Sequence, residues 1–92
     1  MTTTTPIKLL EVQLDVCFDD YPSEWAAVGQ LISDAKIESQ VDSVKQAGTT
    51  PNGWPSMLIY VKSEDAARSL IAEYLQLDRY DEEVDEYLQY VK

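Results

Sequence analysis

Residues 10–18 read Leu-Glu-Val-Gln-Leu-Asp-Val-Cys-Phe, and this stretch decides the fold. Apolar side chains recur at every second position, and Glu11, Gln13 and Asp15 lie between them. A period of two is typical of a strand that buries one face and exposes the other to water. We therefore take residues 10–18 as the first strand and extend the interpretation from there.

A helix is predicted directly after this strand, between a turn at residues 19–23 and about Lys36. Asp20 or Ser23 is suited to cap this helix, and Pro22 is suited to its first turn. Apolar residues at helical spacing then form a stripe that we expect to be buried, which consists of Trp25, Val28, Leu31, Ile32 and Ala35.

The segment from Ser39 to Ala47 is ambiguous. Ile37, Val41 and Val44 are also helically spaced, but at about 100° per residue their mean direction is roughly opposite to the first stripe. Because one straight helix cannot bury both stripes, we predict a strand at Ser39 to Ala47. A hairpin rich in Gly, Pro and Asn then leads to a third strand, Met57 to Lys62. A second short helix at Ser39 to Ala47 is the alternative, since Gln, Asp, Ser and Lys favour strands poorly.

The third strand is apolar on both faces at residues 57–61, which indicates a central position in the sheet. Ser63 is predicted to cap a helix, and its buried stripe contains Ala67, Leu70, Ile71, Tyr74 and Leu75. Asp78 or Asp81 is predicted to cap a final helix, and its apolar face contains Tyr80, Val84, Tyr87, Leu88 and Val91.

This order of elements resembles a ferredoxin-like β-α-β-β-α unit whose last strand has been replaced by a C-terminal helix. We expect a small single α+β domain at residues 7–92, with a three-stranded antiparallel sheet packed by helices, behind a flexible leader at residues 1–6. In this topology the first strand is an edge strand that pairs only with the third. Its free edge is expected to be shielded by the C-terminal helix or the leader, or to be joined by a second chain. The topology itself implies no activity.

Charge restricts the partners. The chain has 92 residues, with 7 Lys and Arg against 17 Asp and Glu, and its net charge is -10. Such a chain is unsuited to grip nucleic-acid phosphates or an anionic membrane, both of which attract clustered Lys and Arg. It is attracted to a basic protein surface instead. The absence of a signal-peptide pattern and of a long apolar run predicts a cytoplasmic protein.

Motifs for catalysis and metal binding are missing from the sequence. There is no His, which removes the usual general base and the commonest metal ligand. Cys17 is predicted on the strand face opposite the core, without a partner base. The acidic segment at residues 78–86 fails the EF-hand pattern, because Tyr80 stands at a ligand position and no glycine occupies the turn. We therefore predict a non-enzymatic protein with no metal and no cofactor.

The acidic C-terminal segment is the main candidate for binding. Residues 78–86 contain six carboxylates along roughly 12 Å of helix at about 1.5 Å per residue. Duplex DNA presents about seven charges over that length, at one per roughly 1.7 Å. Aromatic residues are expected to anchor the contact, since Tyr and Trp are enriched at interface hot spots. The predicted partner-binding residues are Asp78, Asp81, Glu82, Asp85, Glu86, Tyr90 and Trp54.

The leading functional hypothesis is an acidic protein-binding module that inhibits a partner by occupying its basic nucleic-acid-binding surface, as a nucleic-acid mimic. Phage-encoded anti-CRISPR and anti-restriction proteins are similar to this chain in size and charge only. One alternative is a small homodimeric structural or assembly protein whose acidity serves solubility. Another is an antitoxin-like regulatory partner of a basic toxin. The acidic segment is also explained by an ordinary amphipathic helix with a solvated side.

Overall fold

The computed structural model describes residues 8–92, and the predicted leader at residues 1–6 lies outside them. The element order within this range is β-α-β-β-α-α, which confirms the predicted α+β class and topology. The elements are β1 (Leu10–Asp15), α1 (Glu24–Ala35), β2 (Val41–Thr49), β3 (Pro55–Val61), α2 (Glu64–Leu75) and α3 (Glu82–Leu88), with a short 3-10 helix (Glu38–Gln40) before β2.

The sheet has the order β1-β3-β2, and β3 pairs antiparallel with both neighbours. β1 is therefore an edge strand that pairs only with β3, as predicted. Leu10 lies opposite Val61 and Asp15 lies opposite Ser56. The ambiguous segment is a strand, although it begins at Val41 because the 3-10 helix intervenes. Its pairing with β3 is irregular at two points, which marks β2 as a bulged edge strand.

Side chains cap the helices where the sequence predicts. The Oγ atoms of Ser23 and Ser63 each accept a hydrogen bond at 3.2 Å from the backbone N–H three residues ahead. Asp81 caps α3, because its Oδ1 accepts the N–H of Glu83 at 2.9 Å. α1 ends at Ala35, and its C-cap Lys36 adopts the left-handed conformation with φ of 60°. No helix within residues 8–92 combines the length and apolar character needed to cross a bilayer.

The core lies between the helices and the face of the sheet that carries the apolar residues of the alternating stretch. Val12 and Leu14 of β1 are fully buried there, as is Val84 of α3. Trp25 does not join them, and the prediction that it is buried is wrong. Its side chain is 49% exposed, because it lies roughly 90° from the centre of the buried stripe of α1 at about 100° per residue.

The outer edge of β1 is covered by the C-terminal part of the chain. Three donors bind its outward carbonyls: the Tyr74 hydroxyl donates to Asp15 O at 2.7 Å, the Tyr87 hydroxyl to Gln13 O at 3.0 Å, and the Lys92 N–H to Glu11 O at 3.2 Å. Of the expected ways to protect this edge, shielding by the C-terminal helix is the one that the described residues show. The Tyr87 bond comes from α3, the Tyr74 bond comes from α2, and Lys92 follows α3.

Candidate functional site

Three grooves adjoin one another beside the covered edge of β1. The C-terminal groove, of about 560 Å³, is lined by Leu75, Glu83, Glu86, Tyr87, Gln89 and Tyr90. The edge groove, of about 370 Å³, is lined by Gln13, Asp15, Tyr87, Tyr90 and Val91. The Trp54 groove, also of about 370 Å³, is lined by Tyr21, Trp54 and Tyr74 together with Asp15, Asp34 and Glu73, among others.

The three grooves form one continuous surface, because each shares residues with the next. Tyr87 and Tyr90 line both the C-terminal groove and the edge groove. Asp15 lines both the edge groove and the Trp54 groove. We name this surface, which runs from Tyr90 to Trp54, the acidic surface.

Its charge is of one sign. The carboxylates that line it are Asp15, Asp34, Glu73, Glu83 and Glu86. No Lys or Arg in the described part of the chain lines any of the three grooves. Arg68 and Arg79 line two neighbouring grooves that border this surface. The Arg68 groove shares Gln89 and Val91 with it, and the Arg79 groove shares Asp34 and Glu73. The acidic surface therefore offers carboxylate oxygens and aromatic faces, a combination that suits cationic groups.

Tyr74 and Tyr87 give the middle of this surface its rigidity. Their rings meet edge to face, with centroids 6.3 Å apart, and both hydroxyls are bound to carbonyls of β1. Burial raises the pKa of Tyr87 to about 12, and the nearby Tyr74 and Asp15 add to the shift. Burial also raises the pKa of Tyr74. Both hydroxyls therefore remain protonated donors at neutral pH.

Trp54 is held by the turn that joins β2 to β3. Its backbone N–H donates to Thr50 Oγ1 at 3.2 Å, and its backbone carbonyl accepts the Thr50 N–H at 2.7 Å. Gly53 closes the turn with a φ of 87°, a conformation that favours glycine. The indole is 42% exposed at the rim of its groove. Trp54 is thus carried by a hydrogen-bonded turn, and its indole is accessible to solvent.

The predicted partner-binding residues are divided between the acidic surface and other places. Glu86, Tyr90 and Trp54 lie on it, at opposite ends. Glu82 is exposed in the first turn of α3 but lines none of its grooves. Asp81 caps α3 and, like Asp78, accepts a backbone hydrogen bond from the residue two positions ahead. Asp78 and Asp81 therefore have structural roles in the turn before α3.

Asp85 lies on another side of α3, where it binds α2. Arg68 donates to its Oδ1 at 2.7 Å and to the carbonyl of Arg79 at 2.9 Å. This hydrogen bond to Asp85 raises the pKa of Arg68. The Tyr80 ring lies 5.5 Å and 5.4 Å from the guanidinium groups of Arg68 and Arg79.

The prediction that Tyr80 belongs to the apolar face of the final helix is wrong. Asp81 is the cap, so the helix begins at Glu82 and Tyr80 precedes it. Tyr80 is 72% exposed and contacts the two guanidinium groups instead of the core. The continuous helix assumed for residues 78–86 is correspondingly shorter, and it retains Glu82, Glu83, Asp85 and Glu86.

Sequence reasoning did not select Asp15, Asp34, Glu73 and Glu83 for this site. Asp15 was identified only as part of the polar row of the first strand. Asp34 lies near the end of α1 and Glu73 near the end of α2, so only tertiary packing brings them to the Trp54 groove. No local sequence motif predicts such a groove.

The sheet face opposite the core carries a separate polar network. Tyr60 donates to Glu11 at 2.9 Å, and Lys45 lies 5.4 Å from the Tyr60 ring. The hydrogen bond to Glu11 raises the pKa of the Tyr60 hydroxyl. Ser56 links Gln13 to Asp15 through bonds of 2.8 Å and 2.9 Å. Since these groups bind one another, the network orders the Asp15 side chain at the border of the acidic surface.

Neither a metal site nor a related protein helps to define the function of the acidic surface. Within residues 8–92, no group of three or more Asp, Glu or Cys side chains is arranged to hold a metal ion. Comparison of the chain with protein-family models, curated proteins and solved structures gives no match.

Proposed function

We propose that this domain binds a basic surface of a partner protein through its acidic surface and blocks nucleic-acid binding there. One observation carries the proposal: three adjoining grooves are lined by carboxylates and aromatic residues, with no Lys or Arg from the described residues. Arginine and lysine are the residues with which proteins hold nucleic-acid phosphates. A surface that attracts those side chains competes directly with nucleic acid.

The exposed side of α3 supports competition with a nucleic-acid backbone. Glu82, Glu83 and Glu86 are exposed, and they form no ion pair with any residue in the range 8–92. They span roughly 6 Å of helix axis at about 1.5 Å per residue. Duplex DNA carries three to four charges over roughly that length, at one per about 1.7 Å. The charge density predicted for the longer segment is thus retained in the shorter helix.

Capture of partners by the tagged 92-residue chain at low and high salt tests the proposal. We expect a basic nucleic-acid-binding protein to be retained at low salt and released at high salt, because exposed charges are screened. The purified partner should then release labelled nucleic acid when this domain is added. Retention that does not change with salt, or a partner that still binds nucleic acid in the complex, would contradict the proposal.

Two matched double variants test whether the partner contacts the acidic surface. Glu83→Gln with Glu86→Gln removes two charges from the acidic surface. Glu38→Gln with Asp42→Asn removes two exposed charges elsewhere. The first pair should weaken partner binding by roughly threefold to tenfold, since each exposed ion pair contributes about 0.2–1 kcal/mol. The second pair should have a smaller effect, and equal effects would mean that only the net charge matters.

The assembly alternative is restricted by the covered edge. The outward carbonyls of β1 are bound within the chain, so a second copy that extends the sheet would have to pair with β2. The register irregularities of β2 discourage such pairing. Sedimentation at micromolar concentration separates the two functions: a salt-insensitive dimer favours assembly, and a monomer favours the inhibitor.

A further inference from the structure

We propose that the Trp54 groove receives the side chain of an arginine from the basic partner. The inference rests on the proposed function, because the partner supplies the arginine. The Trp54 groove is the end of the acidic surface farthest from α3. There, three aromatic side chains and three carboxylates line a single groove, which consists in part of Tyr21, Trp54, Tyr74, Asp15, Asp34 and Glu73.

The size of the groove suits one side chain. Its volume of about 370 Å³ is at the lower end of the roughly 300–1,000 Å³ of small-ligand sites. Trp54 and Tyr21 are 42% and 40% exposed, so their rings are accessible from solvent. Exposed aromatic side chains beside a concave site are typical of interface anchors.

Hydrogen bonds hold the segments that carry the groove. The backbone of Trp54 forms two hydrogen bonds with Thr50, and the Tyr74 hydroxyl donates to the Asp15 carbonyl at 2.7 Å. Gln30 Nε2 donates to Asp34 Oδ1 at 2.8 Å, which orients that carboxylate. A preordered site loses less conformational entropy when a ligand enters it.

The chemistry of the walls favours a guanidinium over other groups. An anion would be repelled by the three carboxylates of the groove. Val16, Ala27 and Leu31 also line it and can contact an apolar stem, but a wholly apolar side chain would remove water from the carboxylates without offering them a donor. A guanidinium stacks on an indole face and donates two parallel hydrogen bonds to a carboxylate. Lysine offers only a compact, strongly hydrated charge. Charge complementarity and planar shape therefore both point to arginine.

Titration with small probes tests this inference without the partner. The chain has two Trp and six Tyr residues, so the Trp25→Phe variant leaves Trp54 as the sole tryptophan, which is excited selectively at a wavelength that tyrosine does not absorb. N-acetyl-arginine amide should change its fluorescence in a saturable way at millimolar concentration. N-acetyl-citrulline amide, which has nearly the same shape but no charge, should give no saturable change, and the lysine amide should bind more weakly than arginine. If Trp25→Phe does not fold, the indole N–H signal of Trp54 in the NMR spectrum of the unaltered chain gives the same readout.

Carboxylate variants provide the control. Glu73→Gln should weaken arginine-amide binding by roughly threefold or more, whereas Glu38→Gln, a change of an exposed carboxylate outside the groove, should leave it unchanged. Equal responses to arginine and citrulline, or no response to either, would overturn the arginine site while salt-dependent capture of a basic partner still stands. Saturable arginine binding without any basic partner would instead overturn the proposed function, because the groove would then serve another arginine ligand.

Discussion

Tyr87 connects the packing of α3 to the edge of the sheet with a single hydroxyl. That hydroxyl donates to Gln13 O at 3.0 Å, and burial raises its pKa from 10.0 to about 12. In the unfolded chain the hydroxyl ionises near pH 10, whereas in the folded chain it keeps its proton until about pH 12. The stability that this proton contributes is therefore complete below pH 10 and is lost between these two values.

We predict that Tyr87→Phe reduces the free energy of unfolding by about 1 kcal/mol at neutral pH, because it removes one hydrogen bond and leaves a carbonyl without a partner. The difference between the two proteins should shrink as the pH rises through 10 toward 12. Urea unfolding at a series of pH values measures both effects. Tyr90→Phe is the control. Because Tyr90 is 79% exposed, removal of its hydroxyl should change neither the free energy of unfolding nor its dependence on pH. A constant difference at all pH values would contradict the assignment.

At the scale of elements, α3 depends on its contacts. A helix of seven residues is not stable alone in water, where roughly 12–15 residues are needed. Fully buried Val84 and the Arg68–Asp85 pair attach it to the rest of the molecule. Loss of these contacts would also uncover the outward carbonyls of Gln13 and Glu11, which Tyr87 and Lys92 cover.

We predict that Val84→Ala destabilises the protein by about 2 kcal/mol, from two lost methylene equivalents at about 0.8 kcal/mol each and a residual cavity. The amides of α3 should exchange hydrogen faster than those of α1, because the helix detaches locally before the domain unfolds. Urea unfolding and hydrogen exchange measure these effects. Val91→Ala, at a half-buried position, should have a smaller effect. Equal acceleration in α1 and α3 would show that α3 does not open on its own.

Hydrophobic periodicity and helix caps made the helices and strands predictable. Contacts between residues distant in the sequence were not predictable. The alternation at residues 10–18 and the serine caps are local signals. The caps appear as predicted, and the strand is present but ends at Asp15, three residues before the predicted end at Phe18. The grooves are not local, because Asp15, Glu73 and Trp54 come from three separate elements or turns. The error at Tyr80 has the same origin: helical spacing continues through the residue, but the Asp81 cap starts the helix after it.

For the molecule as a whole, the net charge of -10 acts in opposite directions on folding and on binding. Like charges on the folded surface repel one another and destabilise the compact state. Ion pairs do little to offset this repulsion, since the described residues form only the Arg68–Asp85 and Arg79–Asp65 pairs. Attraction to a basic partner comes from the same carboxylates, so salt should stabilise the free domain and weaken the complex.

We predict that added sodium chloride raises the thermal midpoint of the free domain by several degrees, since about 1 kcal/mol shifts the midpoint of a domain this size by roughly 4–8 °C. Thermal unfolding followed by circular dichroism measures the shift. The double variant Glu38→Gln with Asp42→Asn removes two negative charges and leaves both ion pairs intact. It should raise the midpoint at low salt and reduce the response to added salt. A midpoint that falls with salt would show that the ion pairs, and not repulsion among the carboxylates, dominate the electrostatics of folding.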